Sequence, residues 1–134
     1  SVAPDSLDQM SWRIGDTGFE MRLDRRVPET IRTHAPGFLA RLLARAGLER
    51  AELARWALHP GGRRVVDALA ESLELDDERL ASTRGVLSDC GNMSSATIFF
   101  VLERELARGA AGALAALGFG PGLTMEGAVF LPPR

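Results

Sequence analysis

Two polar side chains stand where a folded scaffold can aim them at a ligand. The first, His59, ends the apolar run 56–58 and precedes Pro60, Gly61 and Gly62. Histidine titrates near neutral pH, and α/β sheets usually place their sites at the carboxyl ends of strands. The glycines let another chain approach closely, and the helix predicted after them offers free N–H groups. The alternative is a purely structural histidine.

Asn92 is the second candidate, because it lies between Gly91 and a run of small residues that starts at Ser94 and leads into an apolar helix. An asparagine amide donates hydrogen bonds without titrating, so it can stabilise an oxyanion at any ordinary pH. The small residues fit a place where a ligand or another backbone comes close. The alternative is that Asn92 only caps the helix, because asparagine is favoured at N-caps.

Other residues give weaker signals. Cys90 has Asp89 beside it and no basic neighbour, so we interpret it as a small structural residue rather than a nucleophile. Arg63 and Arg64 could pair with an anionic carrier, although solvation is the default for such arginines. The glycine-rich stretch 118–122 lacks the lysine and the strand–turn–helix context of nucleotide loops. We predict that it is a tight loop that shapes a cavity.

Composition excludes several classes of function. The 134 residues, 46% hydrophobic and 25% charged, fit one globular domain, and a net charge of -2 provides no basic field for nucleic acid. The single cysteine excludes a disulfide framework and a multi-cysteine metal site, and it favours a reducing cytosol. No run of 18 uncharged apolar residues and no signal-peptide pattern occur, so neither membrane insertion nor secretion is indicated. We expect a cytoplasmic protein without a metal.

Alternating helical and strand patterns predict an α/β domain with a mixed β-sheet packed with helices. The polar leading segment 1–9 is predicted to have little order, and the domain itself to span 10–134. The predicted strands are a hairpin over 10–14 and 19–23, then 56–58, 113–117 and 125–131. The predicted helices span 28–34 and 37–46, separated at Pro36, then start after 62, at 76 and at 94. The last of these is predicted to be buried on all sides at its start, and 109–112 to be a flexible connection.

Three motifs, in order, resemble the C-terminal half of a type III polyketide synthase, a member of the chalcone and stilbene synthase family. They are His-Pro-Gly-Gly at 59–62, Gly-Asn-Met-Ser-Ser-Ala at 91–96 and Gly-Phe-Gly-Pro-Gly-Leu-Thr at 118–124. The likeness runs from about residue 10 to the end. The resemblance implies the C-terminal half of a thiolase-like fold, made of two similar halves, that works as a homodimer in the cytoplasm.

The resemblance also implies roles for single residues. His59 would be the base that keeps a cysteine as its thiolate and, with Asn92, would hold the thioester oxygen of malonyl-CoA. Decarboxylation would leave an enolate that attacks an acyl group on that cysteine. Gly61 and Gly62 would border the pantetheine tunnel, with Arg64 at its mouth. The substrates would be an acyl-CoA starter and malonyl-CoA, with no other cofactor.

The cavity and the nucleophile complete the implied site. The residues that would shape the cyclisation cavity are Ser94, Gly118, Phe119, Gly120, Pro121 and Gly122. Met21 stands where the family usually has a gatekeeping phenylalanine, so the tunnel would be wider. The nucleophilic cysteine of the family belongs to the N-terminal half. We therefore expect this chain alone to be inactive, and to associate or to be marginally stable.

Two other functions stay open. The chain could belong to another thiolase-fold condensing enzyme, similar to ketoacyl synthase III, which would take its extender from an acyl carrier protein. The His-Pro-Gly-Gly form counts against this alternative, because those enzymes favour a His-Gln-Ala-Asn form. The chain could also be a non-catalytic half-domain whose apolar faces bind a partner half. A retained complex without catalysis would favour that function.

Overall fold

Two sheets make up the β-structure of residues 1–109 and 112–132, the part of the chain that the computed structural model describes. The strands are β1 (Met10–Gly15), β2 (Gly18–Leu23), β3 (Leu53–Leu58), β4 (Ala113–Gly120) and β5 (Thr124–Phe130). Strands β1 and β2 pair as an antiparallel hairpin. The other sheet has the order β3-β4-β5, with β3 parallel and β5 antiparallel to β4. The predicted mixed sheet and α/β class are thereby confirmed.

Four α-helices in the described residues cover both faces of the three-stranded sheet. They are α1 (Val27–Ala46), α2 (Arg63–Ser72), α3 (Ala81–Cys90) and α4 (Thr97–Ala107). Alternate residues of β3 and β4 point to opposite faces, so Trp56 and Leu117 join the core under α1 and α2. Ala57 and Leu114 join the smaller core under α3 and α4. Burial on both faces explains why these strands are continuous apolar runs.

Helix α1 corrects the prediction of two helices separated at Pro36. It continues through Pro36 and ends at Gly47, whose φ of 66° gives the left-handed cap. Its buried residues recur every fourth position: Val27, Ile31, Ala35, Leu39 and Leu43. Pro36 itself is exposed, so the ring meets no core side chain. Burial of the uninterrupted stripe therefore outweighs the one backbone hydrogen bond that proline removes.

The leading segment 1–9 is packed against the domain, contrary to the prediction of little order. Ala3, Ser6 and Gln9 are buried, and an isolated bridge joins Val2 to Thr124. The Ala3 N–H donates to the Leu123 carbonyl oxygen at 3.3 Å. The segment is held by single contacts along the start of β5 rather than by a helix or strand, so no periodic pattern marks it in the sequence.

Helices α3 and α4 differ from their predictions. Helix α3 begins at Ala81, because residues 77–80 form turns rather than the predicted first helical turn. Helix α4 begins at Thr97, after a 3₁₀ turn over Ser94–Ala96. It is not buried all round: Phe99 is 67% exposed, and only Thr97, Val101 and Glu105 are buried along it. Its remaining apolar face is uncovered by the described part of the chain.

The predicted loop at 118–122 is also partly wrong. Strand β4 continues through Gly120, and a 3₁₀ turn over Pro121–Leu123 connects it to β5. The predicted connection over 109–112 lies partly outside the described residues, as does the end of the predicted domain at 133–134. Among the helices that are described, none combines the length and apolar content needed to cross a membrane.

Candidate functional site

His59 follows the last residue of β3, and the sheet fixes its backbone. Its N–H donates to the Leu117 carbonyl oxygen of β4 at 2.9 Å, and its own carbonyl oxygen accepts the Gly61 N–H at 3.0 Å. The side chain is half-buried, and burial lowers the pKa of His59 below its ordinary value of 6.5. The imidazole is therefore neutral at pH 7, with one nitrogen that donates and one that accepts a proton.

Asn92 lies one residue beyond Gly91, the residue that ends α3 with a φ of 71°. Its Nδ2 donates to the Gly61 carbonyl oxygen at 3.0 Å, and its Oδ1 accepts the Ser94 N–H at 2.9 Å. These two bonds fix which way the amide faces. Nδ2 carries two hydrogens, so one is left for a ligand. Asn92 therefore does more than shape its own turn, because it ties α3 to the glycines after His59.

The segment after Asn92 is held in an uncommon conformation. Ser94 has a φ of 60°, in the left-handed region that non-glycine residues rarely adopt. The Met93 N–H donates to Oγ1 of the buried Thr97 at 2.8 Å, which anchors the segment to the start of α4. Such backbone strain persists only where surrounding contacts enforce it, and it clusters at functional sites.

A cavity of about 80 Å³ brings most of the predicted site residues together. It is lined by Met10, Trp12, Met21, Leu23, Val27, Ile31, His59, Gly61, Val65, Asn92, Ser94, Phe119, Gly120 and Pro121. Eight of these were candidates from the sequence, contributed by segments that are far apart along the chain. Because these residues are far apart in the sequence, their meeting at one cavity supports the prediction of a shared site. The roles of the single residues stay predictions.

A second, wider cleft of about 400 Å³ meets the first at His59, Ser94 and 119–121. Gly118 lines this cleft, together with Ile98 and Phe99 of α4. Its walls are mainly apolar and open to solvent. His59 therefore lines both clefts.

Three predicted residues do not line either cleft in the described part of the chain. Gly62 is the N-cap of α2, and its carbonyl oxygen accepts the Val65 N–H at 3.0 Å. Arg64 is exposed in the first turn of α2. Gly122 has a φ of 67°, and a side chain there would meet Leu7 of the leading segment. The positive φ of the turn therefore explains why a glycine stands at 122, and the cavity does not.

The hairpin supplies a wall that the sequence reasoning missed, apart from Met21. Trp12 of β1 faces Met21 of β2 in the register, and Met10 faces Leu23. Trp12 is 49% and Met21 50% exposed, so these side chains cover the cavity rather than fill the core. Apolar residues at every second position of both strands were the available signal, because such spacing puts them on one face.

Among the described residues, the site contains hydrogen-bond donors but no strong nucleophile. Cys90, the chain's single cysteine, does not line either cleft, and it is exposed at the end of α3 rather than buried as a structural residue would be. Within the described residues, no group of three or more His, Cys, Asp or Glu side chains could hold a metal ion. An imidazole and an amide around one cavity can polarise a carbonyl and stabilise an oxyanion.

The pKa of His59 predicts how stability changes with pH. The unfolded chain keeps the ordinary value of 6.5, so just below that pH it binds more protons than the folded chain does. Stability contributed by His59 is therefore lost as the pH falls below 6.5. We expect urea unfolding midpoints to fall over this range, and to fall less in His59→Gln. Equal losses in both proteins would contradict the burial of His59.

Comparison with known proteins shows which family this chain resembles in sequence. The sequence model of the family "Chalcone and stilbene synthases, C-terminal domain" matches residues 1–132, so the likeness also includes the leading segment. The chain is 39% identical to the 1,3,6,8-tetrahydroxynaphthalene synthase of Streptomyces peucetius subsp. caesius, covering 92% of this chain and 33% of that protein. It is 35% identical to the 3,5-dihydroxyphenylacetyl-CoA synthase of Streptomyces toyocaensis, covering 96% and 34%. The chain thus spans about a third of the length of these relatives.

Solved structures agree with this placement. The 1,3,6,8-tetrahydroxynaphthalene synthase of Streptomyces coelicolor A3(2), a bacterial type III polyketide synthase, superposes with a TM-score of 0.86 at 32% identity over 96% of this chain and 38% of that chain. The polyketide synthase PKS-I of the brown alga Ectocarpus siliculosus gives a TM-score of 0.87 at 30% identity over 95% and 36%. The fold is therefore half of a thiolase-like fold. The chain belongs to the chalcone and stilbene synthase family, as the C-terminal domain of a type III polyketide synthase.

Proposed function

We propose that this chain supplies the His–Asn part of a condensing site that extends an acyl-CoA starter with malonyl-CoA by decarboxylative Claisen condensation. The observation that carries the proposal is the Asn92 amide bonded to the Gly61 carbonyl oxygen at 3.0 Å, two residues beyond His59. It puts two uncharged donors beside one cavity. Relatives that are named as synthases of polyketide products support the same class of reaction.

The two donors act on the thioester carbonyl of malonyl-CoA. Loss of CO₂ breaks the bond to the carboxylate carbon, and the electron pair left behind forms an enolate with negative charge on the thioester oxygen. An N–H of His59 and the second hydrogen of Asn92 Nδ2 hold that oxygen, so the donors are strongest where charge develops. A neutral His59 suits this role, because it needs no proton from solvent to donate.

The enolate carbon then attacks an acyl group held as a thioester on a cysteine. A carbon–carbon bond forms, the cysteine leaves as a thiolate, and the chain, longer by two carbons, remains on CoA. In an earlier step, the accepting nitrogen of His59 takes the proton of that cysteine, whose thiolate attacks the starter and releases CoA. Repetition of both steps extends the polyketide. CoA thioesters are the substrates, and no other cofactor takes part.

The cysteine comes from an N-terminal half that this chain does not include. The share of the relatives that the chain covers leaves room for such a half. We place it over the wide cleft beside His59, where Phe99 and Phe100 of α4 are exposed. The domain alone is then inactive, and the full-length protein forms a homodimer. The single cysteine of this chain fits a reducing compartment, the cytoplasm.

The cavity walls set the choice of substrate. Met21 and Trp12 face each other across the hairpin and close one side of the cavity. Ser94 and residues 119–121 also line the cavity, and a growing chain would fold against them for cyclisation. Gly61 leaves open backbone beside His59 for the pantetheine arm. Gly62 and the exposed Arg64 line neither cleft, and the guanidinium of Arg64 suits the phosphates of CoA.

The experiment compares this domain alone with the full-length protein that contains it. Each is given malonyl-CoA with a panel of acyl-CoA starters, and released CO₂ and polyketide are measured. The full-length protein is expected to form product, and the domain alone to form none. Product from a malonylated carrier protein but not from malonyl-CoA would favour the ketoacyl synthase III-like alternative. No product from a folded full-length complex would leave the chain as a non-catalytic interaction module and contradict the proposal.

A further inference from the structure

Helix α3 and the turn that follows it contact the backbone around His59 at two points, one before and one after His59 along the chain. Near its start, Thr83 Oγ1 lies 3.3 Å from both the nitrogen and the carbonyl oxygen of Leu58. Just beyond its end, Asn92 holds the Gly61 carbonyl oxygen. Leu58 directly precedes His59, and Gly61 follows it by two residues. One helix therefore brackets the backbone from which the imidazole projects.

The contact at Leu58 satisfies groups that the sheet leaves unpaired. Strand β3 is an edge strand of the three-stranded sheet, and His59 N–H bonds across to β4. The N–H and C=O of neighbouring residues in a strand point to opposite sides, so those of Leu58 face away from β4. A single hydroxyl can accept from the N–H and donate to the C=O at once. Thr83 and Leu58 are both fully buried, so water does not replace the hydroxyl.

The two contacts hold His59 and Asn92 in one geometry. Residue 83 fixes the end of β3 to α3, and α3 carries Asn92 at its other end. Loss of the hydroxyl would leave two buried backbone groups without a partner. The end of β3 would then shift away from α3, and the distance between the two donors would no longer be fixed.

We propose that Thr83 is a positioning residue, which sets the place of His59 relative to Asn92 through its hydrogen bonds to Leu58. The inference rests on the proposed function for its catalytic consequence, but its geometric content concerns this chain alone. Thr83 touches neither cleft and is not part of the reacting groups. Its effect reaches the site only through the backbone of residues 58 and 59.

The test compares Thr83→Val, which keeps the shape and removes the hydroxyl, with Thr83→Ser, which keeps the hydroxyl. In the full-length protein, the imidazole NMR signals of His59 and His34 are assigned from their loss in His59→Gln and His34→Ala, and His34 serves as an internal reference. In Thr83→Val we expect amide hydrogen exchange at Leu58 to rise about tenfold or more. The pKa of His59 should move up toward 6.5 as the imidazole gains solvent. Thr83→Ser should match the wild type in both.

Thr33→Val is the matched control, because the hydroxyl of the exposed Thr33 donates within its own helix to the Glu29 carbonyl oxygen. It should change neither signal. Faster exchange at Leu58 with an unchanged His59 titration would overturn the proposal and leave Thr83 a purely structural residue. If Thr83→Val does not fold, Thr83→Ser decides: a His59 titration that differs from the wild type would show that the hydroxyl does not set its position.

Activity of the full-length protein gives the catalytic consequence. Thr83→Val should lower kcat for malonyl-CoA decarboxylation by about tenfold or more with KM unchanged, and Thr83→Ser should restore it. An unchanged kcat in Thr83→Val would overturn the positioning role. If the wild type is itself inactive, the proposed function fails. The exchange and titration measurements still test the geometry in that case.

Discussion

Replacement of His59 by alanine is expected to lower the rate of polyketide formation by the full-length protein about 10²- to 10⁴-fold. The change removes the donor to the enolate oxygen and the base that activates the cysteine. His59 is bonded to Leu117 and Gly61 through its main-chain N–H and carbonyl oxygen, so the backbone of the site should survive the substitution. The measurement is product formation from malonyl-CoA and an acyl-CoA starter under saturating conditions.

His59→Gln separates the two roles. Glutamine keeps an N–H donor but cannot take a proton at neutral pH. We expect malonyl-CoA decarboxylation to recover in part, and acylation of the cysteine by the starter to remain slow. His34→Ala is the control, because His34 lies in α1 outside both clefts. A His59→Ala protein that retains product formation within a few-fold of wild type would show that the imidazole has no catalytic role.

Asn92→Asp is expected to lower the decarboxylation rate about 10²- to 10³-fold, the usual effect of losing one oxyanion donor. Aspartate keeps the Oδ1 that accepts the Ser94 N–H, so the turn is preserved. It replaces Nδ2 by a charged oxygen that faces the Gly61 carbonyl oxygen and a developing anion. Both contacts become repulsive, and the donor is lost.

Asn92→Ala provides the comparison, since it removes the Ser94 and Gly61 bonds together. If the amide only shapes the loop, Asn92→Ala should be the more damaging change, and Asn92→Asp should be close to wild type. If it donates to the enolate, both variants should be slow. Decarboxylation by Asn92→Asp at the wild-type rate would contradict the assigned role.

The sequence predicted the elements whose signals are local. The apolar run before His59 and the glycines after it mark the end of β3 and the start of α2, and both lie where expected. The alternating residues around 15–18 likewise mark the hairpin of β1 and β2. Pro36 misled the prediction, because a local rule about proline takes no account of a buried stripe that continues on both sides of it.

The arrangement of the site depended on contacts that no local pattern records. Asn92 and Gly61 are 31 residues apart, and Thr83 and Leu58 are 25 apart. The sequence pointed to His59 and Asn92 as chemically able residues, but not to the backbone oxygen that joins them. The predicted all-round burial of helix α4 was wrong for a different reason. Apolar periodicity shows that one face of a helix packs against other residues. It does not show whether those residues belong to the same stretch of chain.

A double-mutant cycle between His59 and Asn92 tests most directly whether the two residues act on one oxygen. Malonyl-CoA decarboxylation by the full-length protein is measured for wild type, His59→Ala, Asn92→Ala and the double variant, because alanine removes each donor without adding a charge. Two donors to the same enolate oxygen should be strongly coupled, so the double variant should be little slower than the slower single variant. Losses that multiply fully would mean that the residues act independently, and would contradict a shared oxyanion site.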